Sequence, residues 1–421
     1  MARFISTMHA RTLGLGLLLS LGTLHGLGSS MEVGGNLWNL GWHRPDDCFL
    51  NVREVSGANP WNPQFLQDVA IYRSLRFMDW DRANGSERER WSQRPLRNNP
   101  RQNPVAYEWM IDLCNRVNAD LWVTVPHRTI SHTLGDHPPD YALRLAALVK
   151  TGVDLGDVNL SPLAGKLGTM TTAELVAAGG IKTSEPLKPN LKLYLEYSNE
   201  TWNGGFKQSQ YCGDEGLLIG LDTNRWTAAF RYHAWAAIRL FRAGDLVFGP
   251  DSPRLVKVLA TQSANPWIAG QHLKVMQDAK WNPWGVKAGA IATAPYFGHK
   301  VDGKALDALE QMRESIRKSA SDSARHREIA DRAGLKLIAY EGGQHITTNA
   351  KLINRDPGIY TLYQEYLSEM RRYFTHFCHY AHVGIAGDNG AWGAMEFTGQ
   401  PLVEAHKYRA LKEWSQRAND P

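Results

Sequence analysis

Eight times along the chain a short run rich in β-branched and aromatic residues gives way to a longer helical stretch, and no other feature narrows the fold as far. Alternation of this kind predicts successive β-α units on a parallel sheet. The strand candidates are Gly34–Leu40, Ser74–Trp80, Asp120–His127, Lys192–Glu200, Leu255–Gln262, Ala290–Phe297, Leu335–Glu341 and Val383–Trp392. Start signals for the helices between them include Asn62 before Pro63, Asn103 before Pro104 and Asn265 before Pro266, since Asn and Pro suit the unpaired donors of a first turn. Pro357–His379 reads as a helix with Tyr360, Tyr363, Tyr366 and Leu367 on one stripe, Lys304–Arg332 as a charged outer helix, and Pro401–Arg417 as the last helix. A doubly wound open sheet alternates in the same way, but eight units and the lack of a G-x-G-x-x-G turn favour closure. The expected fold is α/β, a (β/α)8 TIM barrel with long βα loops.

The units average about 50 residues, against roughly 30 in an undecorated barrel, so the connections must be long. The widest gap, from His127 to Lys192, contains His132, His137, Pro138, Pro139 and Gly179-Gly180, and is expected to hold one helix plus an insertion that walls the cleft. No linker divides residues 31–421, which read as a single barrel domain. Residues 1–30 run from Arg3, His9 and Arg11 through an apolar stretch, Leu13 to Leu24, into Gly26, Gly28, Ser29 and Ser30. That is the order of a secretory signal peptide, with cleavage expected between Gly28 and Met31. A secreted or periplasmic protein follows, with no integral membrane span once the signal is removed.

Of the residues, 43% are hydrophobic and 21% charged, which excludes disorder and a multispan membrane protein. The net charge of +5 is spread without a basic block, so no nucleic-acid partner is expected, and the chain is read as a monomer. Cys48, Cys114, Cys212 and Cys378 stand far apart with no C-x-x-C, which signals neither a zinc knuckle nor a thioredoxin site. Three pairings are open, and the sequence does not say whether any forms.

In a barrel, reactive groups sit where strands end and loops begin. Glu200 closes the fourth candidate strand in Leu195-Glu196-Tyr197-Ser198-Asn199-Glu200, and Glu341 closes the seventh in Ala339-Tyr340-Glu341-Gly342-Gly343. Singly, either carboxylate suits a structural role, at a helix N-terminus or in a glycine-rich loop. As a pair at the same end of one barrel they suit acetal hydrolysis, which needs a proton for the departing oxygen and a negative group for the charge developing on the sugar ring. The 15 Trp, 15 Tyr and 12 Phe supply flat rings beyond the needs of a core. Trp38, Trp42, Trp80, Trp202, Trp267 and Trp284 fall at or beyond strand ends, where sugar faces could stack, so a polysaccharide or oligosaccharide is the expected partner.

Asn199-Glu200 and Glu341 resemble the catalytic pair of the clan A retaining glycoside hydrolases, and the likeness spans about Gly34 to Arg417. The resemblance implies that Glu200 is the acid/base, Glu341 the nucleophile, and Asn199 a donor to the sugar 2-hydroxyl. It further implies Arg76 as the cation that keeps the nucleophile ionised, His127 as a residue near the acid/base or substrate, Tyr296 as a donor to the nucleophile with His299 as a substitute, and Trp392 as the floor of the cleavage subsite. A cation beside Glu341 is expected to lower its pKa while burial raises that of Glu200, separating the two roles. Glu196, deeper on the same face of its strand, reads as a buried structural partner.

His376, His379 and His382 recur at three-residue steps but lack an acidic companion, so no metal site is expected. H-E-x-x-H, G-x-S-x-G and P-loop motifs are absent, and no cofactor is implied. Asn84-Gly85-Ser86 and Asn199-Glu200-Thr201 match the glycosylation sequon, the second inside the candidate site. The expected function is an endo-acting retaining β-glycoside hydrolase. Its rivals are a non-catalytic polysaccharide-binding or exopolysaccharide-assembly barrel, and transglycosylation through the same covalent intermediate. Glucan, mannan, xylan and a bacterial exopolysaccharide all fit the pattern.

Overall fold

A computed structural model describes residues 31–37, 48–49, 60–100 and 102–419. The signal-like segment, its expected cleavage site up to Ser30, Trp38 and Trp42 lie outside the described residues. Eight parallel strands close into a barrel: β1 (Glu32–Asn36), β2 (Ser74–Arg76), β3 (Asp120–Val125), β4 (Leu193–Tyr197), β5 (Leu255–Ala260), β6 (Ala290–Thr293), β7 (Lys336–Ala339) and β8 (His376–His379). Each strand pairs with its neighbours in chain order, and β1 closes the ring against β8 with Glu32 opposite His376 and Gly35 opposite His379. Alternation along a strand sorts side chains between two cores. On β4, Leu193, Leu195 and Tyr197 turn to the helical layer, while Tyr194 and Glu196 turn into the barrel. The interior is filled unevenly. Trp122 and Tyr194 stack at 5.0 Å between ring centroids, and Val258, Ala260, Ala290 and Ala292 line the interior from β5 and β6.

Six of the eight strands fall inside the expected ranges, the first overlaps its range but begins two residues earlier, and the eighth does not overlap at all. The chain leaves its helix at Met370 and β8 is His376–His379, a stretch that sequence pattern assigns to the end of that helix. His376 and Cys378 are polar or small where a strand pattern needs apolar residues, because they face the far end of the barrel interior rather than the helices. The three histidines therefore diverge: His376 meets Ser74, His379 meets Tyr363, and His382 meets Tyr72. Among the described residues, no group of three His, Cys, Asp or Glu is arranged to hold a metal ion.

Asn62 caps its helix by accepting from Gln64 N at 2.9 Å. Asn265 precedes Pro266–Gln277 without a side-chain cap bond, and Asn103 lies ahead of a helix that begins only at Tyr107. The charged helix is Ala308–Arg332 and the last is His406–Asn419. The wide gap before β4 holds a helix, Asp140–Thr151, followed by an insertion built on a two-stranded ribbon, Val153–Asp154 with Ile181–Lys182. This insertion does not wall the cleft. It follows the helix rather than the strand, so it packs on helix ends and outer flanks: Arg144 holds the carbonyls of Leu155 and Val158, Lys150 those of Gly168 and Val247, and Asn115 that of Pro186. All four cysteines are buried, and no described helix is long and apolar enough to cross a membrane.

Candidate active site

At the open end of the barrel the polar interior converges on Arg76, the last residue of β2. Its side chain is fully buried, and each of its five N–H groups has an acceptor. Nε and Nη2 form a fork on Glu196, both at 3.0 Å. Nη2 also donates to Asn199 Oδ1 at 2.9 Å, and Nη1 donates to Asn36 Oδ1 at 3.2 Å and Glu341 Oε1 at 2.8 Å. One guanidinium thus serves two carboxylates. Glu196 takes a further donor, Trp122 Nε1, at 2.7 Å, which makes it the structural partner that its depth in the strand suggests.

Glu341 stands two residues beyond the end of β7 and is held at both oxygens, Oε1 by Arg76 and Oε2 by the Tyr296 hydroxyl at 2.7 Å. Burial pushes its carboxyl up to about 7; Arg76 and Tyr296 pull it down, while Glu200 and Glu196 push it further up. Arg76 does lower Glu341 as expected, but burial outweighs it and the net shift is upward. Glu196 is likewise raised by burial, against the pull of the same guanidinium.

Glu200 is half-buried and follows β4 on a bent backbone, with φ of 53° at Ser198 and 42° at Glu200. Left-handed conformations at residues other than glycine cost on the order of 1 kcal/mol each, and strain of this kind concentrates at functional sites. Here it turns Glu200 toward the mouth. Glu200 Oε1 accepts from the Tyr340 hydroxyl at 2.9 Å, and Oε2 accepts from Asn203 Nδ2 at 3.1 Å.

No family model matches the sequence, and no curated protein is similar to it at a significant level. Solved structures are similar in fold. A family 51 α-L-arabinofuranosidase from Bifidobacterium longum superposes with a TM-score of 0.54 at 11% identity, over 93% of this chain and 75% of that one. A GH51 arabinofuranosidase from Xanthomonas axonopodis pv. citri gives a TM-score of 0.52 at 11% identity, over 92% and 74%. The fold that this chain shares with them is the (β/α)8 barrel.

On this barrel five of the expected site residues, Arg76, Asn199, Glu200, Tyr296 and Glu341, meet at the mouth. Asn199 is buried, with Oδ1 on Arg76 and one N–H on Asn84 Oδ1 at 3.1 Å, which leaves its second N–H for a ligand. Burial and these bonds also remove it as a glycosylation acceptor. His127 is buried and set edge-on to Tyr211, its ring lowered to about 4 by burial; no hydrogen bond among the described residues joins it to either glutamate. His299 lies beside Tyr296, its ring centroid 4.5 Å from that of His345, and Trp392 meets the other side of His345 at 5.6 Å.

The tryptophan set mostly fails as a row of sugar platforms. Trp80 is fully buried against Trp61 and Phe77. Trp202 is 8% exposed and backs Tyr340 and His233. Trp284 lies under Arg239 and Arg242, whereas Trp267, edge-on to Phe230, is 51% exposed and keeps its ring open to solvent. Trp392 remains as a half-buried ring beside the carboxylates' wall. It is not, however, the ring that directly follows β8. That residue is Tyr380, half-buried, within 6.3 Å of the Tyr296 ring and close enough for Glu341 and Glu200 to raise its hydroxyl beyond the effect of burial. Tyr380, Tyr340, Asn36 and Asn203 escape sequence reading. Correct placement of β8 would have found Tyr380; the other three carry no motif.

Proposed function

We propose that the protein is a retaining β-glycoside hydrolase acting within a polysaccharide chain, with Glu341 as nucleophile and Glu200 as acid/base. The observation that carries the reading is the contrast between the two carboxylates: Glu341 is buried and gripped at both oxygens by Arg76 and Tyr296, while half-buried Glu200 faces it from the opposite strand end. Donors at both oxygens fix a carboxylate for in-line attack and keep it available as an anion. In the first step an oxygen of Glu341 bonds to the anomeric carbon as the glycosidic C–O bond breaks. The electron pair leaves with the departing oxygen, which takes the Glu200 proton. In the second step a water oxygen bonds to the same carbon, its proton goes to Glu200, and the Glu341 ester is released. The second N–H of Asn199 is placed to donate to the 2-hydroxyl.

The test is product release from a panel of glucan, mannan, xylan and bacterial exopolysaccharides, with arabinofuranosides included because the two similar structures are arabinofuranosidases. Wild-type protein is expected to release sugar with retained anomeric configuration, read by NMR. Glu341→Ala is expected to lower turnover by a factor of about 10⁴ or more. Azide should restore release as a glycosyl azide of inverted configuration. Full activity in that variant rejects the assignment, and binding of polymers with release of nothing favours a non-catalytic carbohydrate-binding barrel.

A further inference from the structure

Tyr340 is buried, yet its hydroxyl reaches the candidate acid/base. Four contacts fix its ring and backbone. The ring covers the Arg76 guanidinium at 4.9 Å and packs against Trp202 at 6.0 Å, and its carbonyl accepts from Asn36 Nδ2 at 3.0 Å. Its N–H donates to Thr293 O at 3.0 Å. Among the described residues, a hydroxyl held this way has one polar partner, Glu200 Oε1. The other oxygen, Oε2, meets among them only Asn203, an exposed side chain on the loop after β4.

The two oxygens of Glu200 are therefore unequal. A proton on Oε1 would have to displace a rigid donor, whereas a proton on Oε2 needs only that an exposed amide swing away. We propose that Tyr340 is a positioning residue that locks the Glu200 carboxyl and makes Oε2 the oxygen that gives and takes the proton. This rests on the reading of Glu200 as acid/base. Tyr340 is adjacent in sequence to Glu341, so one dipeptide sets the geometry of both carboxylates.

The experiment compares wild type with Tyr340→Phe, which keeps the ring on Arg76 and Trp202 and removes only the hydroxyl. Phenyl and 2,4-dinitrophenyl β-D-glucosides, xylosides and mannosides are the probes, because dinitrophenolate departs without a proton and phenolate does not. Tyr340→Phe is expected to slow glycosylation from the phenyl glycoside by about tenfold or more while changing the dinitrophenyl rate by less than about threefold. Loss of a donor to the carboxylate favours its protonated form, so the basic limb of kcat/KM should move up by about half a pH unit or more.

Equal loss with both leaving groups and an unmoved limb would overturn the proposal. A substrate-free readout separates this from the functional reading: with ¹³C-labelled glutamate, the Glu200 carboxyl, assigned through Glu200→Gln, should titrate at higher pH in Tyr340→Phe. That shift with no turnover in wild type rejects the enzyme and keeps the tyrosine lock. Turnover without the shift does the reverse. If Tyr340→Phe fails to fold, 3,5-difluorotyrosine at 340 serves instead; as a stronger donor of nearly the same shape, it should move the carboxyl titration down.

Discussion

The two ends of the barrel interior each bury a charge, and they handle it in opposite ways. At the closed end His376 sits between Ser74 Oγ at 2.7 Å and Glu32 Oε2 at 3.3 Å, with Cys378 Sγ 3.7 Å from the same ring nitrogen as Ser74. Gly34 makes the space, since a Cβ there would lie 2.4 Å from Ser74 Oγ. One cation meets one anion: against the cost of burial, Cys378 and Glu32 raise His376 to about 9, and the His376 hydrogen bond outweighs burial to lower Glu32 to about 2. At the open end one cation meets two buried anions with a third nearby, and burial leaves Glu341 at about 7. A balanced pair supports the fold, and an unbalanced cluster leaves the candidate nucleophile with a raised carboxyl that must lose its proton before it can attack.

Arg76→Met breaks the contrast most strongly. It leaves Glu196 and Glu341 buried without a cation, so unfolding by denaturant should show a loss of about 3–5 kcal/mol, together with loss of turnover. Next in size is the pH response of the wild type. Attack requires ionised Glu341, whose carboxyl is raised, so kcat/KM should show an acid limb near 7; an acid limb near 4.5 would show that Arg76 offsets burial. Glu32→Gln is the smallest change. Glu32 contributes stability above its ordinary value of 4.5 and loses it as pH falls through about 2, while His376 contributes below 6.5 and loses it as pH rises through about 9. The pair is at full strength between those ordinary values, where melting curves should show a deficit on the order of 1 kcal/mol, limited by solvent at the exposed edge of Glu32. Turnover should be unaffected.

The barrel was legible because seven strands obey the apolar pattern that a sheet covered by helices imposes. β8 was hidden by His376 and Cys378, whose polarity answers to the closed-end cluster. Glu200, Glu341, Arg76, Asn199 and Tyr296 were legible as strand-end residues, since strand ends share one rim. What a strand-end position cannot reveal is which way a ring turns, and so Trp80 and Trp202 were read as platforms although they are packed. Nor does sequence disclose depth: Arg76 lies near Glu341 as expected and shares its donors with Glu196, but the sign of the Glu341 shift is set by burial.

The insertion on the outer flank has a practical side. Its glycine turns at Gly156 and Gly179 lie in open or loosely packed surroundings, with nothing within 4 Å of a Cβ placed at Gly156 and only a Val158 methyl at 3.5 Å from one at Gly179. A tether, a fluorophore or a fused carbohydrate-binding module attached there would anchor the molecule by its side and leave the mouth facing outward, so that immobilisation need not compete with a polymer threading past the rim.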